Sequence, residues 1–274
     1  MNNVMAVFKQ FYERMEKTDV FGLAAQLAYF LLLSLFPFLL FLLTLVGYLP
    51  IEWNMVVALM DQLVPDQMMD IINQNIYRLL NRQEGGLLSL SIIGTLWAAS
   101  NGINALTRAF NRAYDVQENR SFLVARLISV ILTIAMVFVL LMALLLPVYG
   151  RMIGEYIFTF FGLSEELMKV WNTFRWVISS VIIFIVLLAL YVLAPNKRIY
   201  LKNAVWGALF STVLWQLASW LFSYYVNTLG NYDATYGSLA AVIVMMIWFY
   251  ISGIIIITGG VLNAYIRELK IKNN

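Results

Sequence analysis

The stretch Ala24 to Leu49, AAQLAYFLLLSLFPFLLFLLTLVGYL, decides the fold. It lies inside a run from Val20 to Ile51 that contains no charged side chain. A helix needs about 20 residues to cross a hydrocarbon core roughly 30 Å thick, and in lipid only a helix or a closed barrel can satisfy its own backbone amides. Five more charge-free runs follow, Gly85 to Thr107, Leu127 to Gly150, Trp176 to Asn196, Asn203 to Tyr232 and Ala234 to Ile266. The chain therefore reads as an all-α, polytopic membrane protein forming a single membrane domain, with six transmembrane helices at 24–49, 87–106, 127–148, 176–194, 204–226 and 239–262.

Composition points the same way, since 62% of the 274 residues are hydrophobic and 12% are charged, which leaves too little polar surface to coat a soluble globule. There is no cysteine and no histidine. Disulfides, thiolate metal sites, a cysteine nucleophile and the commonest general base near neutral pH are thereby removed. No catalytic residue, metal or cofactor is expected, and the chain reads as a non-enzyme. With no Asp, Glu, Lys or Arg inside a span, a buried carboxylate relay for protons is also absent from the sequence.

The basic residues sit in alternate loops. Thirteen of them, Lys9, Arg14, Lys17, Arg108, Arg112, Arg120, Arg126, Lys197, Arg198, Lys202, Arg267, Lys270 and Lys272, fall on one side of the six-span arrangement, and five, Arg78, Arg82, Arg151, Lys169 and Arg175, on the other. Cytoplasmic loops retain Lys and Arg, so both termini are expected in the cytoplasm of a bacterial inner membrane. Cations split among loops in this way do not make a nucleic-acid face.

Two segments outside the spans are amphipathic. Residues 1–19 carry Val4, Val7, Phe8, Phe11 and Met15 along one face, as in a helix lying on the cytoplasmic membrane surface. The loop 51–84 repeats apolar residues at helical spacing on either side of Pro65, which predicts two external amphipathic helices.

Within the spans, Pro37 deletes the backbone bond to the Leu33 carbonyl and is expected to kink the first helix, as shape alone or as a hinge. Gly94, Ala98 and Gly102 form a small-residue stripe that lets another helix approach. Asn101 and Asn104 must find partners on a neighbouring helix, water or a substrate. The fifth span carries Gln216, Tyr224 and Tyr225 beyond what lipid contact requires. A shared offset of 17 residues, from Trp97 to Tyr114 and from Trp215 to Tyr232, raises an inverted repeat of two three-span halves.

The block LWAASNGINALTRAFNRAYDVQENRSFLVARL at Leu96 to Leu127 resembles the YihY/BrkB family of bacterial inner-membrane proteins, historically mislabelled ribonuclease BN. AAQLAYFLLLSLFP at Ala24 to Pro37, APNKRIYLKNAVWGALFSTVLW at Ala194 to Trp215 and YYVNTLGNYDATYGSLAAVI at Tyr224 to Ile243 extend the likeness over Gly22 to Asn263. The resemblance implies six spans and roles in transport, including that of lipids or lipid-linked molecules, or in envelope resistance, without a catalytic mechanism. One departure concerns the end of the last span, where the family commonly carries a glutamate and this chain has Val261 in GGVLNA, with Asn263 left as the polar group.

In the matched block Arg108, Asn111, Arg112, Tyr114, Asp115, Arg120 and Arg126 form a polar cluster. It reads either as an ion-paired cap or as a grip on an anionic lipid headgroup, because a guanidinium can take a phosphate with two hydrogen bonds. The candidate substrate-binding set is this cluster with Asn101, Asn104, Gln216, Tyr224, Tyr225 and Asn263. The leading expectation is a transporter or flippase-like protein for a lipid or another amphipathic, anionic substrate. The alternative is a non-transporting scaffold or lipid-binding envelope protein. An intramembrane lipid enzyme stands third, and nuclease activity is rejected for want of a metal-binding cluster. Membrane lipids are the expected partners, with nucleic acid excluded and a homo-oligomer left open.

Overall fold

The computed structural model describes residues 2–46, 85–137, 165–228 and 239–272, and all their regular structure is helical. In chain order the helices are α1 (Asn2–Thr18), α2 (Val20–Val46), α3 (Gly85–Ala113), α4 (Phe122–Val137), α5 (Glu165–Leu193), α6 (Leu201–Thr228) and α7 (Ala240–Lys272). Four of them, α2, α3, α6 and α7, contain stretches long and apolar enough to cross a membrane. In α4 and α5 the apolar parts, Phe122–Val137 and Val177–Leu193, are shorter. The expected external helices at 51–84, the end of the third expected span beyond Val137, and Tyr232 of the inverted-repeat match lie outside the described residues.

Two compact units are present, one of Phe30–Ala99 and one of Met1–Tyr29 with Ser100–Asn274. In the smaller unit, α2 continues through Pro37, and Gly94 of α3 faces it so closely that an added Cβ would stand 3.3 Å from the proline Cβ. The small residue therefore admits the proline ring. Hydroxyls here are satisfied by their own helix, Ser34 donating to the Leu31 carbonyl at 2.7 Å and Thr95 to that of Ser91 at 2.7 Å. Such back-bonding lets a polar side chain sit in an apolar helix without a partner elsewhere.

The larger unit is built on the antiparallel α6–α7 pair. Gly207 and Gly259 meet backbone to backbone, and a Cβ on Gly207 would collide with the Gly259 carbonyl and the Asn263 amide. Asn263, fully buried, accepts from the Gly207 amide at 2.6 Å and donates to the Ala204 carbonyl at 3.1 Å. Further along the seam Ser211 donates to the Ile255 carbonyl at 3.1 Å, and Trp215 Nε1 donates to Ser252 Oγ at 3.0 Å. Without a hydrophobic drive between helices in lipid, close backbone approach and such bonds hold a pair together. Tyr191 of α5 joins the same seam, its hydroxyl 2.7 Å from Ser211 Oγ and donating to the Ile256 carbonyl at 2.8 Å. Gly260 leaves room for the ring of Phe110 on α3, and Phe110 in turn meets Tyr191 edge to face at 5.3 Å.

Helix α1 lies against the C-terminal part of α7. Phe11 meets Tyr265 edge to face at 6.0 Å, and Arg14 bonds Glu268.

Candidate functional site

The polar cluster is anchored by how α3 ends. Asp115 adopts φ 50°, a left-handed conformation that an aspartate tolerates better than most residues. Around it the Val116 amide donates to the Asn111 carbonyl at 2.9 Å and the Asp115 amide to that of Arg112 at 3.2 Å, the paired bonds of a Schellman cap. The α1–α2 corner also turns on a left-handed aspartate, Asp19 at φ 60°, whose amide donates to the Glu16 carbonyl at 2.9 Å. The two aspartates then exchange partners. Lys17 Nζ donates to Asp115 Oδ1 at 2.7 Å, and Arg112 Nη1 donates to Asp19 Oδ2 at 3.4 Å. Each corner thus supplies the cation for the other's carboxylate.

Beneath these ion pairs most of the candidate residues are committed to internal bonds. Asn111, buried, donates to Glu118 Oε2 at 2.9 Å and accepts from the Asn196 amide at 2.7 Å. Arg120 donates to Asn196 Oδ1 at 3.1 Å, to the Ala194 carbonyl at 3.3 Å and to the Pro195 carbonyl, and it lies 3.6 Å from Glu118. The α3 terminus is thereby tied to the connection between α5 and α6. Arg126 of α4 donates to Asn101 Oδ1 at 2.7 Å, and Ser129 donates to Asn104 Oδ1, so both asparagines of α3 find their partners one helix away. Arg14 donates to the Ala113 carbonyl at 3.3 Å and stands 4.0 Å from Asp115.

Tyr114 differs from the rest. It is buried and its hydroxyl has no hydrogen-bond partner among the described residues. Burial pushes its pKa up to about 12, and the positive charges of Arg267 and Arg14 oppose that rise.

Arg108 and Arg112 face outward from one side of α3, one turn apart. Gln26 accepts from Arg108 Nη2 at 2.8 Å, and Asp19 is the carboxylate beside Arg112. A guanidinium has five N–H donors, so these contacts leave most of the donor set of each arginine turned to the surroundings.

The structure therefore brings Asn101, Asn104, Arg108, Asn111, Arg112, Tyr114, Asp115, Arg120 and Arg126 to one end of the larger unit. Gln216, which accepts from Ser180 at 3.4 Å, and the exposed Tyr224 and Tyr225 lie further along α6, the tyrosines about 30 Å from Ala204 at 1.5 Å of rise per residue. Asn263 sits in the α6–α7 seam. Residues that the sequence reading missed include Asp19, Lys17 and Gln26, whose role is set by tertiary pairing, and the Gly207, Gly259 and Gly260 set, which a search for small residues in the last two spans would have found. Among the described residues no three His, Cys, Asp or Glu side chains gather as metal ligands.

Helices of this length and apolarity, closed at one end by an ion-paired polar cap, define an integral membrane protein of the helical class. The model of the family described as virulence factor BrkB matches residues 11–274, and the chain belongs to that family. It is 49% identical over 266 residues to the ribonuclease-like protein YfkH of Bacillus subtilis (strain 168), covering 97% of each chain. The UPF0761 membrane protein IL2447 of Idiomarina loihiensis is 24% identical over 280 residues, covering 99% of this chain and 94% of that one. A UPF0761 membrane protein of Alkalilimnicola ehrlichii is 29% identical over 256 residues, 90% of this chain and 55% of that longer one. No solved structure matches the chain.

Proposed function

We propose that the chain is a six-span protein of the bacterial inner membrane, with both termini in the cytoplasm, that moves a lipid or another amphipathic, anionic molecule in the manner of a transporter or flippase. The observation that carries this reading is the contrast within the polar cluster. Arg14, Arg120 and Arg126 are spent on internal bonds, whereas Arg108 and Arg112 present guanidinium groups outward, one turn apart, at the end of an apolar helix. Two such groups suit a phosphate, and the adjoining apolar surface suits acyl tails. The reading is non-enzymatic: the sequence has no histidine or cysteine, and among the described residues no three carboxylates gather as metal ligands.

A non-transporting scaffold is the second reading. It is favoured by Asn101, Asn104, Asn263 and Gln216, which all meet partners within the protein. The deciding experiment is reconstitution into liposomes carrying a fluorescent anionic phospholipid, with leaflet exchange followed by chemical bleaching of the outer leaflet. Exchange faster than in protein-free liposomes, and slowed by Arg108→Gln with Arg112→Gln, is the expected result. Exchange at the protein-free rate refutes transport of that lipid and leaves the scaffold.

A further inference from the structure

A groove of about 450 Å³ runs along α6 and α7, with Trp206, Leu209, Val213, Leu217, Leu262 and Ile266 among its walls, and those walls are apolar throughout. Trp206, Leu209, Val213 and Leu217 are each about half exposed or more, so nothing among the described residues covers them. The pairing of Ala204 with Asn263, and of Trp215 with Ser252, fixes the antiparallel register. Lys202 lies one turn before Trp206, and Lys270 one turn after Ile266, so both exposed lysines stand at the same end of the groove. The groove is charged at one rim and apolar for the rest of its length.

Length and charge together identify what fits. From Trp206 to Leu217 the helix rises about 16 Å, close to the roughly 15 Å of one leaflet's hydrocarbon. Among the described residues neither rim lysine is in an ion pair, and the sequence has no carboxylate between Glu166 and Asp233, while Lys197 and Arg198 precede Lys202 closely. Glu268, the acidic residue nearest Lys270 on α7, is bound to Arg14. Lys202 stands over the Tyr200 ring, its Nζ 6.0 Å from the centroid.

We infer that this groove is a docking site for one anionic glycerophospholipid of the leaflet that faces the chain termini, an acyl chain lying against Trp206 to Leu217 and the phosphate meeting Lys202 and Lys270. The site is separate from Arg108 and Arg112. It requires only that α6 and α7 stand in a bilayer, and it holds whether or not the protein transports anything.

The test uses the full chain in nanodiscs of neutral phosphatidylcholine doped with phosphatidylglycerol or phosphatidylcholine brominated on the acyl chain. The Trp206 contribution to fluorescence is isolated by difference from Trp206→Phe. Brominated phosphatidylglycerol is expected to quench it at a roughly tenfold lower mole fraction than brominated phosphatidylcholine, since a lysine near the surface favours an anionic lipid several-fold and salt screens part of the gain. In Lys202→Gln with Lys270→Gln the two lipids should quench alike, and unchanged quenching by phosphatidylcholine shows that the fold is intact. Equal quenching in the unaltered protein overturns the inference in favour of an ordinary lipid annulus. Quenching by neither lipid overturns it in favour of a protein covering the groove, such as a second copy. A preference that survives the double substitution overturns it by placing the headgroup elsewhere.

Discussion

Replacing Asn263 by leucine tests whether the α6–α7 seam is held as described. The asparagine is fully buried and makes two interhelical bonds, to the Gly207 amide and the Ala204 carbonyl, at the point where two glycines bring the helices together. Interhelical hydrogen bonds in membranes contribute about 0.6 kcal/mol on average and up to about 1.7 kcal/mol. Two bonds at the tightest crossing, plus a branched side chain pressed on Gly207, give a loss of about 2 kcal/mol. For a chain of this size that corresponds to a fall of about 4–8 °C in apparent Tm, read at a fixed scan rate in detergent by tryptophan fluorescence. Asn263→Asp should do no better, because it keeps the acceptor for Gly207 but sets a carboxylate oxygen against the Ala204 carbonyl. If Asn263→Leu melts with the unaltered protein yet changes lipid exchange, the residue belongs to a substrate path and the clamp is refuted.

Other expectations follow from the polar cap and the proposed topology. A double-mutant cycle on Lys17 and Asp115, both largely exposed, should give a coupling of about 0.5 kcal/mol that shrinks as salt is raised; no coupling at low salt would break the exchange between the two corners. Tyr114→Phe should be neutral or slightly stabilising near pH 7, since it removes a buried hydroxyl that has no partner among the described residues. Because burial raises the Tyr114 pKa from 10.0 to about 12, the unfolded chain releases that proton first, and stability should fall as pH rises through this window. The phenylalanine variant should lose that component of the fall, as measured by melting at pH 9 to 11. The cysteine-free chain suits single-cysteine labelling, in which Asn2→Cys and Asn273→Cys should react with an impermeant reagent only after the membrane is opened, and Gln74→Cys before it.

The long helices were legible because one rule, the absence of charge over a span's length, governs where a chain can stay in lipid. The expected spans at 24–49, 87–106, 204–226 and 239–262 correspond to α2, α3, α6 and α7. Their ends were not legible from apolarity. Helix α3 runs past Arg108 and Arg112 to Ala113, because a helix stops where its amides find another arrangement, as at the cap on Asp115, and not where the solvent changes. The polar cluster around Arg112 could be read from its block of sequence, but its partners could not. Asp19 and Gln26 lie 93 and 82 residues along the chain from Arg112 and Arg108, and only tertiary packing brings their side chains to those arginines. Asn263 stood out as a polar residue in an apolar helix, while its partners became visible only with the glycine contact that seats it.

The position of Arg14 ties the beginning of the protein to its end. Its guanidinium is largely buried and is held by the α3 terminus on one side and by Glu268, close to the C-terminus, on the other. Two carboxylates face it, Glu268 in contact and Asp115 at 4.0 Å, and without them a largely buried charge would stand unmatched, which is costly. Seating of the first helix therefore depends on the last one, and removing either side chain of the Arg14–Glu268 pair should loosen both helices at once.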